Sequence, residues 1–450
     1  MFAGLRRLAG RSRSWLAQHW RPATAIAVAA ALLAGGGVYA ATSGDPPAET
    51  VAAEPAAPAP APRVVIREQP PAEETEDLGF PAFATKNTTR VSGADPAADA
   101  AAVALAVFPS TGAAPGPDAI ALVDAGDWPA GIAAAVLTAA PVSAPILLTE
   151  GGEVPELTAE AARALGPGGS KATGGDEAFA IGDAAVPDGI DALELEGESP
   201  AELAAEIAKL RSRLAGDPEH VVLVSDSEPE LAMPAASWAA RSGDPVLYLE
   251  RDQMPAATRE ALAGLEDVPA YVLGPESAVS EKAIEQVRKV APTVTRIAAE
   301  DPVESAIAFA RYAAGSFGWD INDPGHGLVM ANGDRPLDAA AAAPLSASGT
   351  WGPLLLTDDP GALPESLRNY LLDLKPGYLD DPTRAVYNHA WMIGDTEALS
   401  IGLQAEVDEL AEVTQVASGS GPALGPAPGA TESQPDQPPQ DPRQQPDRDR

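Results

Sequence analysis

Carboxylates and carboxamides collect just behind short apolar runs. Asp124 and Asp127 follow "AIALV", Asp226 follows "VVLVS", and Asn332, Asp334 and Asp338 follow "GLVMA". Hard oxygens gathered in this way suit a divalent cation such as calcium, or the hydroxyls of a glycan. The same residue types at a strand-to-helix turn also cap the free N–H groups of a helix start, and both readings stand. Arg90 and Arg296 are candidate anion partners, since a guanidinium can hold an oxyanion through two parallel hydrogen bonds. The stretch "YNHAWMIGD" (387–395) concentrates Tyr387, Asn388, His389 and Trp391 in a chain that is only 5% aromatic. An aromatic beside polar groups suits stacking on a sugar as well as packing in a core, so Asn388 and His389 join the candidate contacts.

Chemistry of other kinds finds no support. The four histidines (His19, His220, His326, His389) show no pair at metal-ligand spacing, and there is no cysteine, hence no disulfide, thiolate site or thiol nucleophile. No G-x-S-x-G elbow occurs in the body of the chain. "GPGGSKATGGD" (166–176) is rich in glycine but precedes an apolar run instead of following one, so it reads as a turn and not a phosphate loop. A formal charge of -36 excludes a nucleic-acid partner, which needs a basic face. No resident cofactor is expected, and the chain reads as a non-enzyme. The rival enzymatic reading is a hydrolase working through the strand-end acids.

The elements that must position these residues recur. Three apolar runs, 119–129, 220–230 and 327–337, are each followed by a stretch of small residues at helical density. A second run then starts behind Pro145, Pro245 or Pro353, an amphipathic helix follows, and a third run, 178–183, 270–275 or 390–395, ends in glycine. The runs are continuously apolar, which marks parallel strands buried on both faces. Each block is therefore expected to be a small βαβαβ open sheet of the α/β class. A further helix fits ahead of each block: "PAADAAAVALAVF", "PAELAAEIAKLRSRL" and "PVESAIAFARYAAG".

The flanks differ in composition. Residues 1–22 carry Arg6, Arg7, Arg11, Arg13 and Arg21 and no acid, and 23–41 is free of charge. That length matches a bilayer crossing, with the basic end in the cytoplasm; the small residues of Val38-Tyr39-Ala40 also offer a signal-peptidase site, with cleavage after Ala40. Either way the remainder lies outside the membrane. Residues 42–86 form a spacer rich in Pro, Ala and Glu, and 418–450 a tail of Pro, Gln, Asp and Arg with almost nothing to bury.

The order "TRVSGADPAADAAAVA … AIALVDAGDWPAGIAAAVLTAAPVSAPILLT … AFAIGD", with "GLVMANGDRPLDAAAAAPLSASGTWGPLLLT … AWMIGD", resembles the cell wall-binding repeat type 2 family over about residues 89–415. The resemblance implies three tandem Rossmann-like or flavodoxin-like open parallel-sheet repeats about a pseudo-threefold axis. It also implies non-covalent attachment to an anionic wall polymer of Gram-positive, here actinobacterial-type, bacteria. Arg90 and Gly93 match the first fixed positions of the family motif, while Pro96 and Asp99 stand where its second arginine and its threonine belong. The second repeat keeps Gly197 and the third keeps Arg296. The family's aspartate before the small-residue helix matches Asp338, where Gly131 and Leu231 stand in the other repeats. The expected organisation is thus a cytoplasmic segment (1–22), a transmembrane or signal helix (23–41), a linker (42–86), repeats at 87–190, 191–293 and 294–417, and a tail (418–450). The expected role is non-catalytic binding of wall glycopolymer at the cell envelope. A scaffold for protein partners is the alternative.

Overall fold

The computed structural model describes residues 83–93, 95–109, 116–265, 267–348 and 352–416. All of them fall in the second of two compact units, Pro71–Arg450; the first, Met1–Pro70, holds none. The expected cytoplasmic segment 1–22, membrane or signal helix 23–41, nearly all of the linker and the tail 418–450 lie outside the described residues. Among those described, no helix is long and apolar enough to cross a membrane.

A short strand β1 (Phe83–Ala84) runs antiparallel to β2 (Thr88–Val91). Then α1 (Pro96–Val107) starts with proline at its first turn and with Asp95 accepting the Ala98 N–H. It is followed by β3 (Ile120–Asp124), α2 (Trp128–Ala134), β4 (Ile146–Thr149), α3 (Glu156–Leu165), β5 (Ala178–Ile181) and β6 (Ala192–Leu195). Next come α4 (Pro200–Ala215), β7 (Val221–Ser225), α5 (Pro229–Ser242), β8 (Val246–Leu249), α6 (Ala256–Ala263), β9 (Ala270–Leu273), α7 (Glu281–Val287) and β10 (Val294–Ile297). The last stretch is α8 (Pro302–Arg311), β11 (Gly327–Asn332), α9 (Leu337–Ala347), β12 (Leu354–Thr357), α10 (Glu365–Asp373), β13 (Gly377–Tyr378), β14 (His389–Ile393), α11 (Ile401–Ala411) and β15 (Thr414–Gln415).

The nine apolar runs become the strands β3, β4, β5, β7, β8, β9, β11, β12 and β14. They form three sheets of one strand order, β4-β3-β5-β6, β8-β7-β9-β10 and β12-β11-β14-β2, parallel throughout, with β1 added antiparallel at the edge of the third. The fold is therefore α/β with open sheets and no barrel. Pro145, Pro245 and Pro353 sit one residue ahead of β4, β8 and β12, and their carbonyls accept from Ala121, Val222 and Val329. A missing N–H costs nothing there.

The fourth strand of each sheet goes beyond the expected βαβαβ block. β6 and β10 run straight into the helices of the following stretch, and β2, from the start of the chain, closes the sheet built by its end. These strands ("ALEL", "VTRI", "TTRV") lie at a sheet edge or one strand in from it, and polar residues interrupt each, so they carry no continuous apolar signal. The helix after each fourth strand lies over the next sheet: α4 on β8 and α6, α8 on β12 and α10, α1 on β4 and α3.

Both sheet faces are covered. One core runs through all three sheets and includes Val123, Val224, Val329 and Ala331; separate outer clusters hold Leu328, Met330 and Met392 of the third sheet and Ile120 and Leu122 of the first. Along β11 alternate residues thus serve opposite faces, as the pleat requires. The small-residue helices α2, α5 and α9 pack on one another. A Cβ on Gly131 would lie 3.1 Å from both Ala340 and Leu337, which is why small residues line this contact.

Candidate functional site

In open parallel sheets ligands gather beyond the carboxyl ends of the strands, and a buried polar group lies there in the third sheet. Arg335, in the turn between β11 and α9, reaches three carboxylates. Its Nη2 is 2.5 Å from Asp99 Oδ2 and 3.1 Å from Asp338 Oδ1, its Nε is 2.8 Å from Asp338 Oδ2, and its Nη1 is 3.9 Å from Asp395 Oδ1. The Nε–Oδ2 approach is an ionic contact that misses hydrogen-bond alignment. Asp99 and Asp338 are fully buried in the first turns of α1 and α9, where helix N-termini favour acids. Asp99 also accepts the Gly93 N–H at 2.6 Å.

Two buried carboxyls share one guanidinium. Burial, reinforced for Asp99 by the Asp338 charge, pushes the Asp99 carboxyl well above the usual range. Burial raises Asp338 to about 6 against the opposing pull of Arg335. For Arg335 burial works against the charge, but Asp338 and Asp99 outweigh it and hold the proton more tightly. Only Arg335 and Asp395 reach solvent. The group ties the start of α1 and the Gly93 turn to the third sheet, and its chemistry is that of a buried joint.

Arg90 serves the same joint. It is 2% exposed, and it donates to the carbonyls of Gly394, Asp395 and Leu399 at 2.6–2.7 Å and to Gln404 Oε1 at 3.0 Å. Burial lowers its pKa to about 10. Arg296 repeats the arrangement in the second sheet, donating to the Gly274 and Val279 carbonyls at 2.7 and 2.6 Å; burial lowers its pKa too. Both motif arginines thus clamp the glycine turn that follows β14 or β9, at Gly394 (φ 97°) and Gly274 (φ 117°). In the first sheet Glu194 takes the position, opposite Ala180 of β5, and the clamp is missing.

The remaining candidates are placed as follows. Asp124 accepts the N–H groups of Gly126 and Gly151 at 2.8 and 2.7 Å, and Asp127 caps α2 by accepting from Ala130 at 3.0 Å. Burial raises Asp127, with Asp124 and Asp183 adding to it, and burial followed by the Glu250 charge raises Asp226. Asn332 is buried, accepting from the Asp334 N–H and donating to the Ala398 carbonyl, while Asp334 is exposed. Asn388 lies at the opposite, amino end of the third sheet. It is 4% exposed, accepts from Gly325 and His326, and donates to the Leu374 carbonyl. His389 pairs with Thr89 at 3.0 Å and lies edge-on to Trp391, and burial lowers its pKa. The structure therefore joins Asp338 and Arg90 into one cluster and leaves Asn388 and His389 apart from it. Among the described residues no group of three or more His, Cys, Asp or Glu could hold a metal ion.

Sequence reading missed Arg335, Asp395 and Gln404 as members of the joint. One signal was available. Asp99 stands six residues after Gly93, as Ser305 stands six after Ala299, and Ser305 Oγ accepts the Ala299 N–H at 3.1 Å in the same way.

Comparison with known proteins now bears on these positions. A family model described as "Cell wall binding domain 2 (CWB2)" matches residues 194–285 and 296–404. Two stretches of the chain are thus similar to cell wall binding domain 2, as two successive repeats. The matched stretches begin inside β6 and β10, so each of these repeats opens with the strand that completes the preceding sheet, and Arg296 opens the second. Two solved structures share the fold: Cwp6 from Clostridium difficile (TM-score 0.59, 20% identity, 72% of this chain and 48% of that one) and Cwp8 from Clostridium difficile (TM-score 0.54, 20% identity, 72% and 52%). The chain spans about half the length of each. No curated protein matches the sequence.

Proposed function

We propose that this is an exported protein of the cell envelope that holds a wall glycopolymer through three α/β repeats, by binding and without turnover of the polymer. The match of cell wall binding domain 2 to 194–285 and 296–404 carries this reading. Residues 87–190 supply the third repeat, supported by the strand order that β3, β4 and β5, with β6 behind them, share with the matched sheets. The cyclic lending of fourth strands and the mutual packing of α2, α5 and α9 support Rossmann-like repeats about a pseudo-threefold axis. The arginine-rich start and the apolar 23–41 segment support export, with the helix either kept as a single-pass anchor, amino end inside, or cleaved after Ala40. Exposed Asp334 and half-exposed Asp226 are the strand-end oxygens best placed to meet glycan hydroxyls or a bridging divalent cation.

The purified chain, incubated with isolated cell walls and spun down, should be retained. A chain that stays in the supernatant both with and without calcium sinks the reading. One observation favours a protein partner instead: Leu379, Val386 and Tyr387 stand about half exposed or more around β13 and the turn before β14. Chemical crosslinking that captures a protein through this patch, with no retention on walls, selects that alternative.

A further inference from the structure

Three side chains from distant parts of the sequence meet at the amino end of the second sheet. His220 stands just before β7, Asp244 just before the proline that leads into β8, and Ser316 lies between α8 and β11. Asp244 Oδ2 is 3.1 Å from His220 Nδ1, and Asp244 Oδ1 accepts the His220 backbone N–H at 3.0 Å. The Trp238 indole donates to Asp244 Oδ2 at 2.9 Å. The Asp244 side chain is 3% exposed and the His220 side chain 9%. An ionised carboxylate can only accept, so Nδ1 carries the ring proton and Nε2 presents its lone pair. That lone pair faces Ser316 Oγ at 3.3 Å. Tyr271 and Phe317 close on the ring edge-on, with centroids at 5.6 and 5.2 Å, and fix its plane.

Ser316 is the accessible end of this chain. It sits at the tip of a two-residue turn closed by the Ala314–Phe317 bridge, with Gly315 at φ 64° ahead of it, and both tip residues are exposed. The hydrogen bonds closing the turn use the N–H groups of Ala314 and Phe317; those of Gly315 and Ser316 donate to nothing among the described residues. Nucleophile, base and orienting acid thus stand in the order a serine hydrolase needs, beside unpaired backbone donors of the kind that stabilise an oxyanion.

We propose that Ser316, His220 and Asp244 form a serine-esterase centre, separate from the polymer-holding surfaces and independent of the wall-binding reading. Ser316 Oγ adds to the carbonyl carbon of a carboxylic ester while its proton passes to His220 Nε2. The bond to the leaving alcohol breaks and that alcohol takes the proton from His220, leaving the acyl group on Ser316. Water, deprotonated by His220, releases the acid, and the proton returns to Ser316 Oγ. Asp244 is a positioning residue that holds the tautomer. A serine on a protruding turn suits a small acyl ester carried by a flexible, exposed chain; a peptide bond would ask for a cleft to grip the backbone on both sides.

The full chain is treated at pH about 8 with a fluorophosphonate probe, and its hydrolysis of p-nitrophenyl acetate is followed in parallel. Peptide mapping should find the label on Ser316, and Ser316→Ala and His220→Gln should each lower the hydrolysis by about 100-fold or more. Ser316 is exposed, so Ser316→Ala should melt like the parent and separate lost chemistry from lost fold. Asp244→Asn should slow the reaction and displace its pH profile, which a purely structural role would leave in place. An unlabelled Ser316 in the folded chain, or ester hydrolysis that survives Ser316→Ala, overturns the proposal. Wall retention is scored separately, so loss of either property leaves the other assessable.

Discussion

The pair Asp99 and Asp338 shows how far burial can move a carboxyl when a single arginine must serve two. Asp338 is held at about 6 by burial, and Asp99 is displaced in the same direction. A carboxyl that binds its proton more tightly folded than unfolded stabilises the fold fully below its unfolded value, about 4. That contribution is lost as the pH climbs through the folded value. Stability against urea is therefore expected to grow as the pH falls from about 7 toward about 4.5, through the window set by Asp338. Asp338→Asn should flatten part of that slope. An unchanged slope would mean that the carboxyl is ionised in the folded chain as readily as in water. The strand-end acids of the first sheet differ in kind: Asp124 and Asp127 are spent on backbone N–H groups of turn and helix start, so capping describes their contacts in the fold.

Strands explain the motif arginines better than anion binding does. Arg90 in β2 and Arg296 in β10 reach across the sheet edge to the loop after the neighbouring strand, and each holds two carbonyls at equivalent positions, Gly394 and Leu399 or Gly274 and Val279. Arg90 is the more deeply buried and makes more bonds. Arg90→Met, read by urea unfolding, should cost about 3–5 kcal/mol because buried carbonyls lose their donor. Arg296→Met, at a half-buried site with two acceptors, should cost about 1–2 kcal/mol. Wall retention that collapses in either variant while its unfolding midpoint stays put would return these arginines to the polymer.

Each sheet takes its edge strand from another stretch of chain, and one hydrophobic core crosses all three. The sheets are therefore expected to unfold together, although a chain of this size could melt piecewise. Tryptophan fluorescence and far-UV circular dichroism should trace one coincident thermal transition; two resolved steps would show that the exchanged strands couple the sheets weakly. Legibility in the sequence follows from where the information is local. Continuous runs such as "IALV", "VLYL" and "LLLT" announce buried parallel strands because every residue in them is buried. Small-residue helices announce close packing for the same reason. Which sheet β2 would join was invisible, since "TTRV" is a short, largely polar strand whose partner β14 lies at the far end of the chain. The Arg335 joint and the His220–Asp244–Ser316 relay were invisible on the same ground. Their members come from separate turns and meet only when α1 docks beside α9, or when the segment after α8 folds back onto the second sheet. Side-chain pairing across such distances is set by how layers stack, a property of the packed whole that no spacing along the chain encodes.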